Sequence, residues 1–441
     1  MSRILLALLG FLLSVSPAQG SVLDVFGFGA RGMAMGNAQT AVADDVSANH
    51  YNPAGLALAE SIRIDVGYLH TITQMRLNGA DLNVDENPGV QAGLVIPGSI
   101  GGMRLAFGLG FYLPNSRLSR IRALPESQPR FVLQDNRTQH VNIATNLAIE
   151  LFDGLTIGAG LTFLTDTSGE VAIGGTLTPD PSEGDLSNAV DVSFKTARFP
   201  SVGLHWQATD ALRLGLAWRS QMAVTLDIGA NIEAQIVELL GPQPLDGSVS
   251  VRSFNTNFFT PHQIFLGASH RPATDTLIAL DLGWMHWSAF PTPTAQVTLD
   301  FTLETYDTGS LIPPPTAPSD PGFHDTFVVR AGVEQAWSFG GSADFVVRGG
   351  YGFEPSPAPD QPGATNYVDL DRHLFSAGLA GGFFENPRGG EHPVQLDLAV
   401  QYTLHTQREY PKDSAADPVG DFVANGESWA LMATTRILFP W

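Results

Sequence analysis

Eleven histidines, no cysteine and an adjacent pair of carboxylates, Asp44 and Asp45, bound the chemistry open to this chain. Without Cys there is no disulfide framework and no thiolate metal site. A serine hydrolase needs a Ser, a His and an orienting polar partner at one place, and no G-x-S-x-G elbow occurs. No catalytic residue, metal ligand or cofactor is therefore assigned, and the remaining chemistry is that of binding. Arg330, Arg348 and Arg372 are cations that could hold a carboxylate inside a larger structure. Arg348 has the best strand parity for this, although a pair with Asp344 or with the N-terminal segment explains it as well. Arg117, Arg120, Arg122, Arg130 and Arg137 crowd into loop 114–137 of an otherwise acidic protein. They could attract carboxylates or lipopolysaccharide phosphates, or make ordinary loop salt bridges. In 232–240, Ile232, Ile236, Val237, Leu239 and Leu240 fall at helical spacing. An exposed apolar helix there could be a binding surface, or merely pack on its neighbours. Phe254, Phe258 and Phe259 stand just before Pro261, which should kink its strand.

The carboxylate pair belongs to a distinctive stretch, "GARGMAMGNAQTAVADDVSANHYNPAGLA", residues 29–57. It is too broken for a long helix and too poor in large residues for a strand. Gly and Ala suit a segment that turns often and packs its backbone closely. Thr40 to Asp45 can form a short turn, with Asp44 and Asp45 accepting from free backbone N–H groups. Asn52, Pro53 and Ala54 are either a gating element or simply the turn into the first strand. A water channel of the Asn-Pro-Ala type is excluded, since that fold needs a second such motif and membrane helices.

The elements around this stretch read clearly. Residues 1–20 form a secretory signal, with Arg3 before the apolar core "ILLALLGFLLSV" and small residues at the expected cleavage site. Beyond them no apolar run is long enough for a membrane helix. Instead, from about residue 61 to Trp441, the dominant period is two. In "VQLDLAVQYTLH" (394–405), Val394, Leu396, Leu398, Val400, Tyr402 and Leu404 share one face, and Gln395, Asp397, Gln401 and Thr403 the other. Such segments are about ten residues long, enough for a tilted strand to cross an outer membrane. Many end near aromatics such as Tyr68, Tyr112, Trp206, Trp218, Trp284, Trp287, Trp337 and Trp429, the residues of interfacial girdles. The face opposite the apolar one is rich in Gly, Thr and Ala rather than Lys, which disfavours a soluble sandwich. The pattern predicts an all-β fold, a 14-stranded antiparallel transmembrane β-barrel, from strands near 61–73, 89–97, 102–113, 138–152, 155–166, 196–208, 211–226, 257–271, 276–288, 325–337, 342–353, 372–384, 393–405 and 428–441. An even count closes the wall and removes its edges. The net charge of −21 argues against a nucleic-acid partner.

The stretch 29–57, together with "LDLGWMHWSAF" (280–290), "VVRGGYGFEPSPAP" (346–359) and "DLDRHLFSAGLAGGF" (369–383), resembles the FadL-type outer-membrane transporters of long-chain fatty acids and other hydrophobic compounds. The resemblance covers nearly the whole mature chain in the family's order. It implies a signal peptide (1–20), an N-terminal plug (21–60) inside the lumen, and a barrel (61–441) with long extracellular loops. It also implies passive uptake, with capture by outer loops, transfer to a lumen pocket, and release by plug movement or lateral exit. By the same resemblance Asp44, Asp45, Asn52, Pro53 and Ala54 lie in the plug. Arg348, Arg330, Arg372, His324, Ile236, Leu240, Phe258 and Phe259 are candidate ligand contacts. Family members can carry Lys where "GFHDTF" has His324, which leaves room for an uncharged ligand. The expected partners are a hydrophobic small molecule, outer-membrane lipid and lipopolysaccharide, and the barrel assembly machinery acting on the C-terminal Trp441, with the protein a monomer in the outer membrane of a Gram-negative bacterium. The competing readings are a structural or adhesive barrel whose plug never moves and, more remotely, a barrel enzyme.

Overall fold

A computed structural model describes residues 21–115, 127–134, 140–177, 185–236, 245–292, 296–303, 320–339, 343–383, 394–413 and 417–439. Fourteen strands close into a ring: β1 (Ile62–Leu77), β2 (Gly89–Ile100), β3 (Met103–Pro114), β4 (Asn142–Phe152), β5 (Leu155–Leu177), β6 (Asp185–Gln207), β7 (Leu212–Arg219), β8 (Gln263–Ala273), β9 (Thr276–Met285), β10 (Thr326–Phe339), β11 (Ala343–Glu354), β12 (Arg372–Phe383), β13 (Val394–Tyr410) and β14 (Phe422–Phe439). Each pairs antiparallel with the next. β14 closes the circuit on β1 through a register running from Ile62↔Phe439 to Leu77↔Ala424. With every strand paired on both sides, no row of backbone groups faces lipid unsatisfied. Tight turns such as Gly101–Gly102 and Asp153–Gly154 mark one rim, and long connections mark the other. That asymmetry is the outer-membrane pattern.

The predicted alternation is what the wall displays. On β13, Leu396 and Leu398 are exposed while Asp397, Gln401 and Thr403 are buried. Leu147, Leu266, Leu280, Phe327 and Leu431 likewise turn apolar side chains outward. An exposed greasy belt of this extent belongs in lipid, not water. Two expected girdle aromatics face the other way. Tyr112 is buried on the inner face of β3, and Trp287 sits in a 3-10 turn after β9 has ended, where period two no longer applies.

Four further departures are local. The predicted strand 211–226 ends at Arg219, and after Ser220 the chain leaves the wall as a strand over Met222–Ile236. The predicted strand 257–271 is cut at Pro261, so that Leu245–Thr260 lies outside the ring and Gln263–Ala273 within it. These two excursions pair with each other, and the first also adds parallel to the outer half of β5. The expected helix at 232–240 is corrected: Ile232 to Ile236 are strand, each facing a partner on 245–249. A short apolar run fits either period, and the neighbouring edge decided it. Gln296–Leu303, between the predicted strands 276–288 and 325–337, is also a strand, paired with 247–254. The signal segment 1–20, Leu240, Trp441, and Arg117, Arg120, Arg122 and Arg137 lie outside the described residues.

Candidate functional site

Residues 21–60 lie inside the ring as short pieces: α1 (Val22–Phe26), α2 (Ala30–Ala34), α3 (Ala48–Tyr51) and a 3-10 turn at Pro53–Leu58. None is long enough to be stable alone; packing holds them. The barrel makes room by removing side chains. Gly93, Gly158, Gly203, Gly215, Gly350 and Gly378 stand on six wall strands where a Cβ would collide with Val46, Pro53, Asn52, Thr40, Gly36 and Ala34, respectively. The Gly-rich inner face seen in the sequence is thus a recess shaped for this segment.

Side chains from around the ring then bond it in place. Asp281 of β9 accepts from the backbone N–H of Gln39 (3.0 Å) and Thr40 (2.9 Å) and from the Thr40 hydroxyl (2.7 Å). Asn52, fully buried, donates to the carbonyls of Thr40 (2.7 Å) and Leu204 of β6 (2.9 Å), and its Oδ1 accepts from Ala54 N–H at 3.2 Å. Pro53 opens the 3-10 turn, and the Ala54 carbonyl accepts from Thr156 of β5 (2.9 Å). Gln91, Gln401 and Thr434 make equivalent bonds to Gly27 and Gly29, Val25 and Ala30, respectively.

The charges form two groups. In the half nearer the tight-turn rim, Arg31 meets Asp44 (2.8 Å) and Glu334 of β10 (3.0 Å), and Asp44 meets Arg213 of β7 (3.3 Å). Asp45 meets Arg436 of β14 (2.7 Å), which also holds Asp65 (3.0 Å). Arg348 belongs here: it donates to Glu334 (2.7 Å) and to Asp397. It is therefore tied into the ring that holds the segment rather than held beside an empty space. Asp45 does accept from the Ser47 N–H (2.9 Å), as expected of it, whereas the Asp44 carboxylate serves arginines instead. Burial works against ionising either carboxyl, yet the guanidinium groups of Arg31, Arg213 and Arg63 around Asp44, and of Arg436 and Arg31 around Asp45, outweigh it and hold both well below the usual range.

The second group lies further out. Asp24 of α1 meets Arg219 at the end of β7 (2.9 Å), and Arg219 also contacts the His50 ring (3.0 Å). Burial, then the cations Arg219 and Arg330, push the His50 pKa well below its ordinary value. Glu354 of β11 takes both Arg330 (2.9 Å) and Arg372 (3.1 Å). Above this layer is an apolar cluster in which Phe259 packs on Trp287 (6.1 Å) and Phe290 (5.4 Å), and Phe290 stacks on Phe323 (4.5 Å). Between layer and cluster lies a small pocket, lined by Val25, Leu133, Pro261, Met285 and Trp287 on its apolar side and by Ser21, Asp24, Thr260, Gln263, Glu354 and Arg372 on its polar side. A second small pocket runs beside α1 and α3 to Phe199, Pro200, Ser201, Arg219 and Ser220. There the β6–β7 pairing stops at Ser201↔Arg219, with one last bond from Ser220 N–H to the Pro200 carbonyl.

Of the residues singled out from sequence, Arg372 borders the first pocket, Arg330 shares its Glu354, and Phe259 belongs to the cluster that supplies its Leu133, Met285 and Trp287. Phe258 packs apart, edge-on to His140. His324 is exposed, its N–H bonded to the Pro357 carbonyl. The Ile236 side chain lies outside the described residues. Sequence reasoning missed Asp24, Arg213, Arg219, Asp281, Glu334, Glu354 and Arg436. The available signal was parity, because each wall member of that set is a charged residue on the polar face of its strand.

Residues 11–439 match the family model described as outer membrane protein transport protein (OMPP1/FadL/TodX). The alkane uptake protein A of Marinobacter nauticus is 22% identical over 386 residues, 83% of this chain and 80% of the relative. Among solved structures, a Pseudomonas aeruginosa FadL homologue superposes with a TM-score of 0.59 at 13% identity, covering 94% of this chain and 98% of the other. The Pseudomonas putida toluene transporter TodX gives 0.55 at 16%, covering 95% and 100%.

Proposed function

The chain belongs to the OMPP1/FadL/TodX family of outer-membrane transport proteins, channels for hydrophobic compounds and not enzymes, and from that premise we propose a route and a cargo for it. The cargo is a long-chain fatty acid or a hydrocarbon. Outer loops capture it, the pocket beside Asp24, Glu354 and Arg372 receives it, and it leaves by movement of residues 21–60 or sideways through the wall. The observation that carries this reading is the apolar cluster of Phe259, Trp287, Phe290 and Phe323, with a pocket beneath it, directly above a segment that fills the barrel. A lumen so closed passes little water, and an apolar solute gains by moving between apolar surfaces rather than through a wet pore. The alkane uptake relative supports a hydrocarbon cargo.

Of the two exits, the lateral one is supported by the second pocket, which meets the wall where the β6–β7 pairing stops. The ion pairs around Arg31 and Arg436 oppose displacement of the segment, and they are also what favours the alternative of a structural barrel with a static plug. Proteoliposome uptake of a labelled alkane and a labelled fatty acid separates the readings. A channel carries at least one of them faster than lipid alone, and a structural barrel carries neither. Removing residues 21–60 should convert the channel into an unselective water-filled pore. Assembly through Trp441 and a monomeric state are part of the same proposal.

A further inference from the structure

We infer that residues 355–371, between β11 and β12, are a lid over the outer mouth of the lumen, clasped shut by Arg408, Tyr410 and Lys412, and that cargo enters when this clasp lets go; the inference rests on the channel reading above. The lid spans the ring. On one side Ala358 and Tyr367 pack into the cluster that holds Phe265 of β8 and Met285 of β9. On the other, Val368 and Leu370 pack with Met75 of β1 and Phe422 of β14. In a ring of fourteen strands β1 and β8 stand opposite each other, so one connection bridges the width of the mouth. A second connection braces it. Arg130–Phe131 pairs parallel with Tyr367–Val368, Phe131 joins the cluster on the β1 side, and Leu133 joins the one on the β8 side. Through that last cluster the lid packs with Leu133, Met285 and Trp287, which line the pocket beside Asp24, Glu354 and Arg372. Neither cluster contains a residue of 21–60.

The clasp is polar and lies on one side. Alternate residues at the end of β13 and just beyond it reach the same loop. Arg408 donates to the Ala358 carbonyl (2.9 Å) and to Asp360 (2.8 Å). Tyr410 donates to the Asp369 carbonyl (2.7 Å) and accepts from the Asp369 N–H (3.2 Å). The Lys412 ammonium donates to three carbonyls, those of Gln361, Gly363 (3.0 Å) and Thr365 (2.8 Å), and the Asp413 N–H donates to the Pro362 carbonyl (3.1 Å). One of only two lysines in the chain thus places all three of its donors on residues 361–365. Bonds of this kind exchange with water at small net cost. The apolar clusters are different, because separating them exposes apolar surface unless another apolar surface takes its place. A hydrocarbon chain sliding under the lid supplies that surface. Release of the clasp is therefore the step that cargo does not itself compensate, and it sets the rate of entry.

The chain has no Cys, so an engineered pair reports cleanly. Pro362 and Asp413 are both exposed. Pro362→Cys with Asp413→Cys, bridged by a short bis-methanethiosulfonate, holds the clasp shut until dithiothreitol releases it. In proteoliposomes the bridged protein should take up labelled hexadecane at least tenfold more slowly than the parent, and reduction should restore the rate. Lys412→Met keeps most of the stem and removes the ammonium. It should speed uptake at least threefold while ion conductance stays at the parent level, because residues 21–60 still fill the lumen. Methylammonium, which can donate to the vacated carbonyls, should reverse that gain, and tetramethylammonium, with no N–H, should not. Parent-rate uptake by the fully bridged protein overturns the inference and leaves the channel reading intact. Conductance rising together with uptake in Lys412→Met also overturns it, by making Lys412 a support of the plugged lumen rather than of a lid. Absence of uptake by the parent protein overturns the channel reading, and the inference with it.

Discussion

Arg31 of the N-terminal segment donates from Nε to Oε2 of Glu334 on β10 at 3.0 Å, and that oxygen also accepts from Arg348 at 2.7 Å. One wall carboxylate thereby couples the segment to a wall cation. Removing Arg31 strips Asp44, Asp45 and Glu334 of a shared partner, and breaking a buried pair this way costs about 3–5 kcal/mol. Arg31→Ala should make residues 21–60 accessible to protease in the intact barrel and raise single-channel conductance in planar bilayers. Parent-like conductance and protease resistance would show that the ion pairs are not what holds the segment.

The glycine recess makes a steric prediction. A branched side chain at Gly158 would run into the backbone of Pro53 and Ala54. At Gly169, further along the same strand, the nearest atom is an ordinary 3.7 Å contact with the Asp191 carbonyl. Gly158→Val should displace the 3-10 turn and open the lumen to ions, and Gly169→Val should not. Overpacking of this kind costs about 1–3 kcal/mol. The comparison fails if both variants conduct alike.

Asn52 can be tested apart from charge. Asn52→Ala leaves the buried carbonyl of Thr40 and the half-buried one of Leu204 each short of a donor, a local loss of about 1–3 kcal/mol for the buried group. Hydrogen exchange should quicken around residues 39–56 while the strand ladder stays protected. Asn52→Asp should be worse, since it sets a carboxylate against two carbonyl oxygens. If Asn52→Ala exchanges like the parent, the Asn-Pro turn is held by packing alone.

The pH dependence has a definite sign. Burial, with Arg219 and Arg330, keeps folded His50 neutral well below its ordinary pKa of 6.5. The unfolded segment binds a proton as pH falls through 6.5 and the folded one does not, so stability present above 6.5 is lost below it. Asp24, 3.8 Å from the ring, is the one acid beside it among the described residues, and it is already paired with Arg219. Asp44 and Asp45 are depressed from the ordinary carboxylate value, so their contribution persists until the pH is far more acidic. Exchange within residues 21–60, corrected for intrinsic rate, should therefore accelerate from pH 7.5 to 5.5. His50→Asn should flatten that response. A flat profile in the parent protein would mean that the imidazole is not buried neutral.

Most of the wall was readable in the residues, and the reason lies in the membrane. Lipid outside and polar surroundings inside force alternation on every spanning strand, as at Leu396, Asp397 and Leu398. The legible part stopped where that constraint stopped. Trp287 follows the end of its strand, and Ile232–Ile236 left the wall to add to β5, an edge supplied by residues far away in sequence. Arg348 was placed on the correct face, but its partners Glu334 and Asp397 come from strands whose adjacency depends on registers that no local pattern encodes.

By itself the sequence determined a closed strand wall, its greasy outside, its glycine-lined inside and the family to which its motifs point, because period, composition and motif order are properties of neighbouring residues along a chain. Only the tertiary structure decided which charges meet. Whether a buried guanidinium is free to hold a ligand or already committed to Glu354 or Glu334 depends on distances of a few ångströms across the lumen, between residues hundreds of positions apart, and those distances exist only once the barrel has closed around its own N-terminal segment.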